Sequence, residues 1–198
     1  MEIGVFMPAW KIHNKWAEKL GISKEVSNYV NTLVDFPEKH KEFMKFFTET
    51  SNWFSEWKKI NPKFPLTEDY MREIISTKDE FHNRMLRELL QIKHDAGRRK
   101  NPLRGSRYQG LAAFVQLKFL SLKGSDYIKA WYLHHFIDFT VSSPLTDIKE
   151  KIKRIKERTQ RPKFTEVEFE EVAKFFEKNF TEIVKDIKNN KQQDSIYF

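Results

Sequence analysis

Residues 109–122 read QGLAAFVQLKFLSL. Apolar side chains fall on nearly every side of the helix that this segment predicts, from Leu111 to Leu122. A helix that is apolar all round is normally enclosed by other helices. We therefore expect this segment at the centre of an all-α protein.

The preceding segments repeat their apolar residues at helical spacing, and none alternates over a sustained length as a strand does. A helix is expected to follow Pro37 and to end at Asn61. The next, a long one, has Thr67 as its N-cap and Gly97 as its C-terminal stop. These signals predict long helices on the N-terminal side of the central segment.

The later segments complete the predicted bundle. A sixth helix covers residues 125–139, an amphipathic seventh follows it, and the last begins at Thr165 with a capping box. We predict an orthogonal bundle of about seven or eight helices, with residues 1–188 as a single helical domain. Residues 189–198 are polar and are expected to form a C-terminal tail.

The composition excludes several kinds of protein chemistry. The 198 residues are 39% hydrophobic and suit one domain, since about 100–200 residues usually share one core. Cysteine is absent, which excludes disulfides, thiolate catalysis, iron–sulfur clusters and cysteine-type zinc fingers. Any metal must therefore be held by histidine and carboxylate groups.

The charge and the location follow from the same composition. The net charge is +8, which favours a negatively charged partner. No apolar run approaches the roughly 20 residues of a membrane span, and residues 1–13 lack the pattern of a signal peptide. We expect a cytoplasmic protein with no membrane span.

The abundance of lysine and glutamate without thiols is typical of thermophilic proteins.

The predicted sixth helix contains the first candidate metal ligands. His134 and Asp138 are four residues apart and share one face, and His135 is three residues from the same carboxylate. An imidazole and a carboxylate at this spacing provide half of a divalent-metal site. The alternative is a hydrogen bond between histidine and aspartate within the core.

A second candidate lies in residues 93–107, KHDAGRRKNPLRGSR. His94 and Asp95 end the predicted fourth helix, where both can reach one ion; the alternative is a histidine interacting with the helix dipole. Basic residues without an intervening acid follow, and a solvated basic loop is the simpler interpretation. Guanidinium groups beside a metal would instead hold the oxygens of a phosphate ester. The residues that we expect to act in catalysis are Asp95, Arg98, Arg99 and Arg104.

His13 is the third candidate. It lies in the apolar stripe that contains Trp10 and Ala17, so its side chain is expected to point inward. A buried histidine without a partner is costly, so it either forms a hydrogen bond in the core or binds the metal. The predicted metal ligands are His13, His94, Asp95, His134, His135 and Asp138.

Residues 89–98, LLQIKHDAGR, resemble the His-Asp signature of HD-domain phosphohydrolases. That resemblance implies an all-α enzyme that hydrolyses phosphate esters with one or two divalent metals. His94 and Asp95 would be the doublet and Asp138 the distal acid. In that family a further histidine precedes the doublet by a few tens of residues, whereas here His82 is closer and His13 is farther away.

Residues 123–145 are similar to a segment of zinc-dependent phospholipases C and related single-strand nucleases, which carries His-x-x-x-Asp. Those enzymes are also all-α and use an N-terminal Trp and His; Thr146 stands here where they have a later histidine. The whole chain also resembles small archaeal proteins of unassigned function. The residues that fall in a compatible order with the zinc enzymes are Trp10, His13, Asp35, His94, His134 and Asp138.

These observations favour a metal-dependent phosphohydrolase or phosphodiesterase that uses a divalent ion (Zn, Mn, Mg or Ni). Its substrate would be a phosphate ester such as a nucleotide or nucleic acid. The alternative is a non-catalytic nucleic-acid-binding protein, since residues 149–163 carry eight basic and two acidic side chains, a net charge of +6. A third hypothesis is a homo-oligomer, if the aromatic stripe of Phe43–Trp57 is too wide for one core.

Overall fold

The computed structural model describes residues 10–90, 106–142, 149–150, 153 and 162–194. Within these ranges every regular element is helical, which confirms the all-α class. The α-helices are α1 (Trp10–Lys19), α2 (Lys24–Asp35), α3 (Lys41–Thr48), α4 (Thr50–Ile60), α5 (Glu68–Ser76), α6 (Glu80–Leu90), α7 (Ser106–Ser121), α8 (Ser125–Ser142) and α9 (Glu166–Asp194). Short 3-10 helices, Pro37–Lys39 and Lys163–Thr165, precede α3 and α9.

Two neighbouring helices, α7 and α8, occupy the centre. Helix α7 contacts α3, α4 and α6, whereas α8 contacts α1, α2 and α9, and the two pack against each other. Residues 110–117 of α7 and 130–138 of α8 are all buried. The prediction that the apolar segment 109–122 lies centrally is therefore confirmed, with α8 sharing the position.

The connection between α7 and α8 depends on a glycine. Gly124 has φ +124°, a backbone conformation that residues other than glycine rarely adopt. Gly124 N donates a hydrogen bond to Leu120 O, 3.2 Å away, at the end of α7. The chain thus reverses within a few residues, and α8 returns against α7.

The predicted helix from Pro37 to Asn61 is interrupted. A 3-10 turn comes first, and the α-helix then breaks at Glu49, between α3 and α4. The break brings Phe47 and Trp53 together, with ring centroids 5.0 Å apart, and Trp53 Nε1 donates to Phe47 O at 3.2 Å. Tertiary aromatic packing therefore outweighs the continuous helical pattern.

The predicted long helix after Thr67 is also divided. Thr67 does cap α5, but the chain is extended at Thr77, and α6 begins at Glu80. Asp79 Oδ1 accepts a hydrogen bond from His82 N at 2.9 Å, as an N-cap does, and so starts the new helix. The predicted stop at Gly97 lies outside the described residues.

The aromatic stripe of Phe43–Trp57 lies mainly inside the core. Phe43, Phe47, Trp53, Phe54 and Trp57 are each at most 3% exposed. These side chains therefore leave little aromatic surface for a partner. The homo-oligomer stays a prediction, but an exposed aromatic stripe no longer supports it.

The described ends of the chain add two observations. Helix α9 continues to Asp194, so residues 189–194 are helical, whereas their sequence predicts a polar tail. None of the helices that the structure describes combines the length and the apolar character that a bilayer span requires. The assignment of residues 1–188 to a single domain stays a prediction.

Candidate metal centre

Three of the predicted ligands meet between α1 and α8. His13 Nε2 lies 3.0 Å from Asp138 Oδ1, and His134 Nε2 lies 3.1 Å from Asp138 Oδ2. His13 is 125 residues from Asp138 in the chain, so the fold creates this contact. One potential ligand atom from each residue lies within 4.8 Å of the others.

Helical geometry explains the positions of these side chains. His134 and Asp138 are separated by one turn of α8 and point in the same direction. His13 comes from the inward face of α1, and its ring stacks on that of His134 with centroids 4.3 Å apart. The three groups therefore surround a common point at the interface of the two helices.

The spacing fits a small divalent ion. Ligand atoms at about 2.0–2.1 Å from a tetrahedral zinc ion lie roughly 3.3 Å from one another. His13 and His134 approach different oxygens of the Asp138 carboxylate, at 3.0 and 3.1 Å, and both distances are close to that value. Two imidazoles and one carboxylate are also ligands that zinc and related metals accept, and three protein ligands leave a position for water.

The three groups are buried, and their protonation depends on burial and on the neighbouring charges. Burial lowers the pKa of His13, and the neighbouring His134 lowers it further. Burial also acts to lower the pKa of His134, but the charge of Asp138, the hydrogen bond to it and the charge of Asp35 together raise it above its usual value. His13 is thus a neutral imidazole at neutral pH, whereas the neighbouring carboxylates favour the protonated form of His134.

A chain of asparagine side chains orients His134. Its Nδ1 donates to Asn31 Oδ1 at 2.8 Å. Asn31 Nδ2 donates in turn to Asn14 Oδ1 at 3.1 Å, and Asn14 Nδ2 donates to Asn28 Oδ1 at 2.7 Å. These bonds place the Nδ1 proton towards Asn31 and leave Nε2 towards Asp138, the arrangement that a metal-binding histidine needs.

Asp35 lies at the accessible edge of the group. Its Oδ1 is 3.7 Å from His134 Nε2, and its side chain is 21% exposed, against 1% for His134. Trp10 Nε1 donates to Asp35 Oδ2 at 2.5 Å. Asp35 is therefore the most exposed carboxylate beside the three buried groups.

His135 lies outside the group that could hold a metal. It is fully buried, and its ring packs against Trp131 at 4.0 Å between centroids and against Phe139 at 6.2 Å. One residue along a helix turns a side chain by about 100°. Of the two adjacent histidines, His134 is therefore the one that faces His13.

Residues 93–105 of the basic segment 93–107 lie outside the described residues, and with them His94, Asp95, Arg98, Arg99 and Arg104. The described chain stops before it, at Leu90, whose carbonyl oxygen accepts a hydrogen bond from Gln116 Nε2 at 3.0 Å. Gln116 Oε1 accepts in turn from Trp131 Nε1 at 2.8 Å. The end of α6 is thus connected through Gln116 of α7 to α8, the helix that carries His134 and Asp138.

Sequence reasoning missed the asparagine chain and cited Asp35 only through the resemblance to zinc enzymes. Asn28, Asn31 and Asp35 recur at three- and four-residue steps along α2, and Asn31 interrupts its apolar face. That pattern was the available signal. It could have indicated a polar stripe on α2, but not that the stripe faces His134.

Comparison with protein families, with curated proteins and with solved structures found no match for this chain. The geometry of the centre is therefore the basis for the function proposed below.

Proposed function

We propose that this protein binds a divalent metal ion through His13, His134 and Asp138 and uses it to hydrolyse phosphate esters. The observation that carries the proposal is the meeting of these three side chains in the core, from helices far apart in the chain. Polar groups with 1–3% of their side chains exposed are costly unless they are paired or bind an ion. A stable core alone would be served by apolar side chains at these positions.

Each ligand has a distinct part in the proposed site. His13 is neutral and ready to coordinate through Nε2, and Asn31 holds His134 in the tautomer that presents its own Nε2. Asp138 supplies the negative charge that offsets the ion. A divalent ion held by these three residues would supply Lewis-acid chemistry, that is, the activation of water for hydrolysis of a phosphate ester.

Asp35 and the basic segment would complete the catalytic site. The carboxylate of Asp35, 3.7 Å from His134 Nε2, would act as the proton acceptor beside the centre. Positive charge is needed for the phosphate oxygens, and the proposal assigns this to Arg98, Arg99 and Arg104, on the basis of sequence. His94 and Asp95 stay predicted ligands of the ion, on the basis of sequence.

Metal analysis tests the first step. We expect tag-free protein, purified without chelator, to contain close to one equivalent of zinc, manganese or nickel, or to bind one tightly after treatment with EDTA. Protein in which His13 and His134 are both replaced by glutamine serves as the negative control. Metal content that is the same in parent and control would contradict the proposed ligands.

Turnover of bis(4-nitrophenyl) phosphate tests the second step. We expect hydrolysis that EDTA removes and that the added metal restores. A metal-loaded protein that hydrolyses neither this diester nor 4-nitrophenyl phosphate would contradict the enzymatic part of the proposal. Salt-sensitive binding of nucleic acid that is unaffected by EDTA would favour the non-catalytic alternative.

A further inference from the structure

One tryptophan of this protein differs from the others in its exposure. Trp10 is 36% exposed, whereas Trp16, Trp53, Trp57 and Trp131 are each at most 3% exposed. An exposed indole loses the stabilisation that burial of an aromatic ring provides. Trp10 is therefore the tryptophan whose ring is accessible to a ligand.

A second exposed aromatic side chain stands beside Trp10. Phe36 is 40% exposed, and its ring meets that of Trp10 edge to face, with centroids 6.4 Å apart and planes at 66°. The two rings form an open corner on the surface, with Trp10 from the start of α1 and Phe36 directly after α2. Planar rings of a ligand stack readily on such side chains.

The aromatic corner lies next to the candidate metal centre. Trp10 Nε1 donates to one oxygen of Asp35, and the other oxygen is 3.7 Å from His134 Nε2. A single carboxylate thus separates the indole from a metal-binding imidazole. Asp35 is also the most exposed of the carboxylate and imidazole groups gathered there.

A positive charge accompanies the corner. Lys39 Nζ lies 4.7 Å from the centroid of the Phe36 ring, within the range of a cation–π contact. An ammonium group at this place favours an anionic ligand over a neutral one. The corner therefore combines an aromatic face, a cation and a neighbouring ion site.

We propose that Trp10 and Phe36 form a stacking subsite for the base of a nucleotide whose phosphate lies at the metal centre. This inference rests on the proposed function and specifies its substrate class as base-containing phosphate esters. The indole supplies the face on which the base stacks, Phe36 borders it, and Lys39 adds a positive charge beside Phe36.

Paired ligands that share a phosphate and a sugar test the subsite. Calorimetric titration of the metal-loaded protein would compare adenosine 5′-monophosphate with ribose 5-phosphate. A stacked base is expected to tighten binding by about 5- to 150-fold. Equal affinity for the two ligands would overturn the subsite while leaving the metal centre intact.

Substitutions of Trp10 separate stacking from its hydrogen bond to Asp35. W10F keeps an aromatic face without the Nε1 donor and is expected to retain a preference for the base, whereas W10A loses it. The matched control is F81A, because Phe81 is 52% exposed on α6, with Arg84 6.0 Å from its ring. A W10A variant with the preference of the parent would overturn the proposal.

Fluorescence keeps the subsite testable if no metal binds and the proposed function fails. Adenosine is expected to quench the emission of Trp10 in EDTA-treated protein, and ribose is not. Loss of the quenching in W10F, whose other tryptophans are buried, assigns it to this residue. Absence of quenching by adenosine in the parent would overturn the subsite independently of the metal.

Discussion

Replacing Asp138 by asparagine is the sharpest test of the metal centre. The change keeps the size of the side chain and removes its negative charge. Asp138 is 1% exposed at its side chain and lies within 3.1 Å of both imidazoles, so the change acts on this group of residues directly. We expect D138N to fold, because asparagine can still form a hydrogen bond there, but to lose tight metal binding.

The size of the effect follows from the loss of metal affinity and from the stabilisation that bound metal gives the folded protein. Loss of a residue that merely orients a ligand weakens metal binding by about 10- to 100-fold, so loss of a direct ligand costs at least roughly the upper value. Metal at about 100 times the parent dissociation constant stabilises the parent by about 2.7 kcal/mol and the variant by only about 0.4 kcal/mol. For a chain of this length, that is an increase in Tm of roughly 5–11 °C against about 1–2 °C.

Thermal unfolding with and without metal measures both shifts in the same assay. Comparing shifts, rather than absolute Tm values, removes any change in the stability of the metal-free variant. D126N is the matched control, because Asp126 is an exposed carboxylate in the first turn of the same helix. A D138N variant with the full metal-dependent shift of the parent would refute the assignment of Asp138 as a ligand.

Three further predictions concern the surroundings of the centre and the fold. Asn31→Leu removes the acceptor of His134 Nδ1 and should weaken metal binding by about 10- to 100-fold, whereas Asn28→Ala, at the far end of the chain, should change it less; isothermal titration distinguishes them. Because Asp138 and Asp35 raise the pKa of His134 despite its burial, an ion must displace a proton there. The apparent metal affinity should therefore fall about tenfold for each pH unit below that pKa and level off above it, and a flat profile in a competitive chelator titration would contradict this. Gly124→Ala should cost about 1–3 kcal/mol in urea unfolding, because its φ is +124° and an added Cβ meets no atom within 4 Å, so the cost comes from the backbone alone. An unchanged midpoint would contradict the last prediction.

The class of the fold was predictable because it depends on local pattern. Apolar residues on all sides of 109–122 required enclosure, and α7 is indeed buried over residues 110–117. The breaks at Glu49 and Thr77 were not predicted. At both places the apolar residues keep helical spacing across the break. The spacing does not show that Phe47 stacks on Trp53 or that Asp79 caps a new helix.

The candidate site was likewise predictable only in part. The four-residue spacing of His134 and Asp138 predicted that they share a face, and the apolar stripe of α1 predicted that His13 points inward. The sequence predicted both His134 and His135 as ligands, because both lie near Asp138 along the helix, whereas the structure brings His134 to His13. The orientation of α8 against α1 and α2 makes that choice.

Spacing along one helix was therefore sufficient to pair His134 with Asp138, since the turn of an α-helix has a constant geometry. The meeting of His13, Asn31 and Asp35 with that pair depends on how three helices pack. Packing angles and depths come from the sum of many weak apolar contacts across the core, and no single motif encodes them. The sequence alone determined an all-α chain with candidate ligands on its helices, and tertiary packing determined which of the described ones meet.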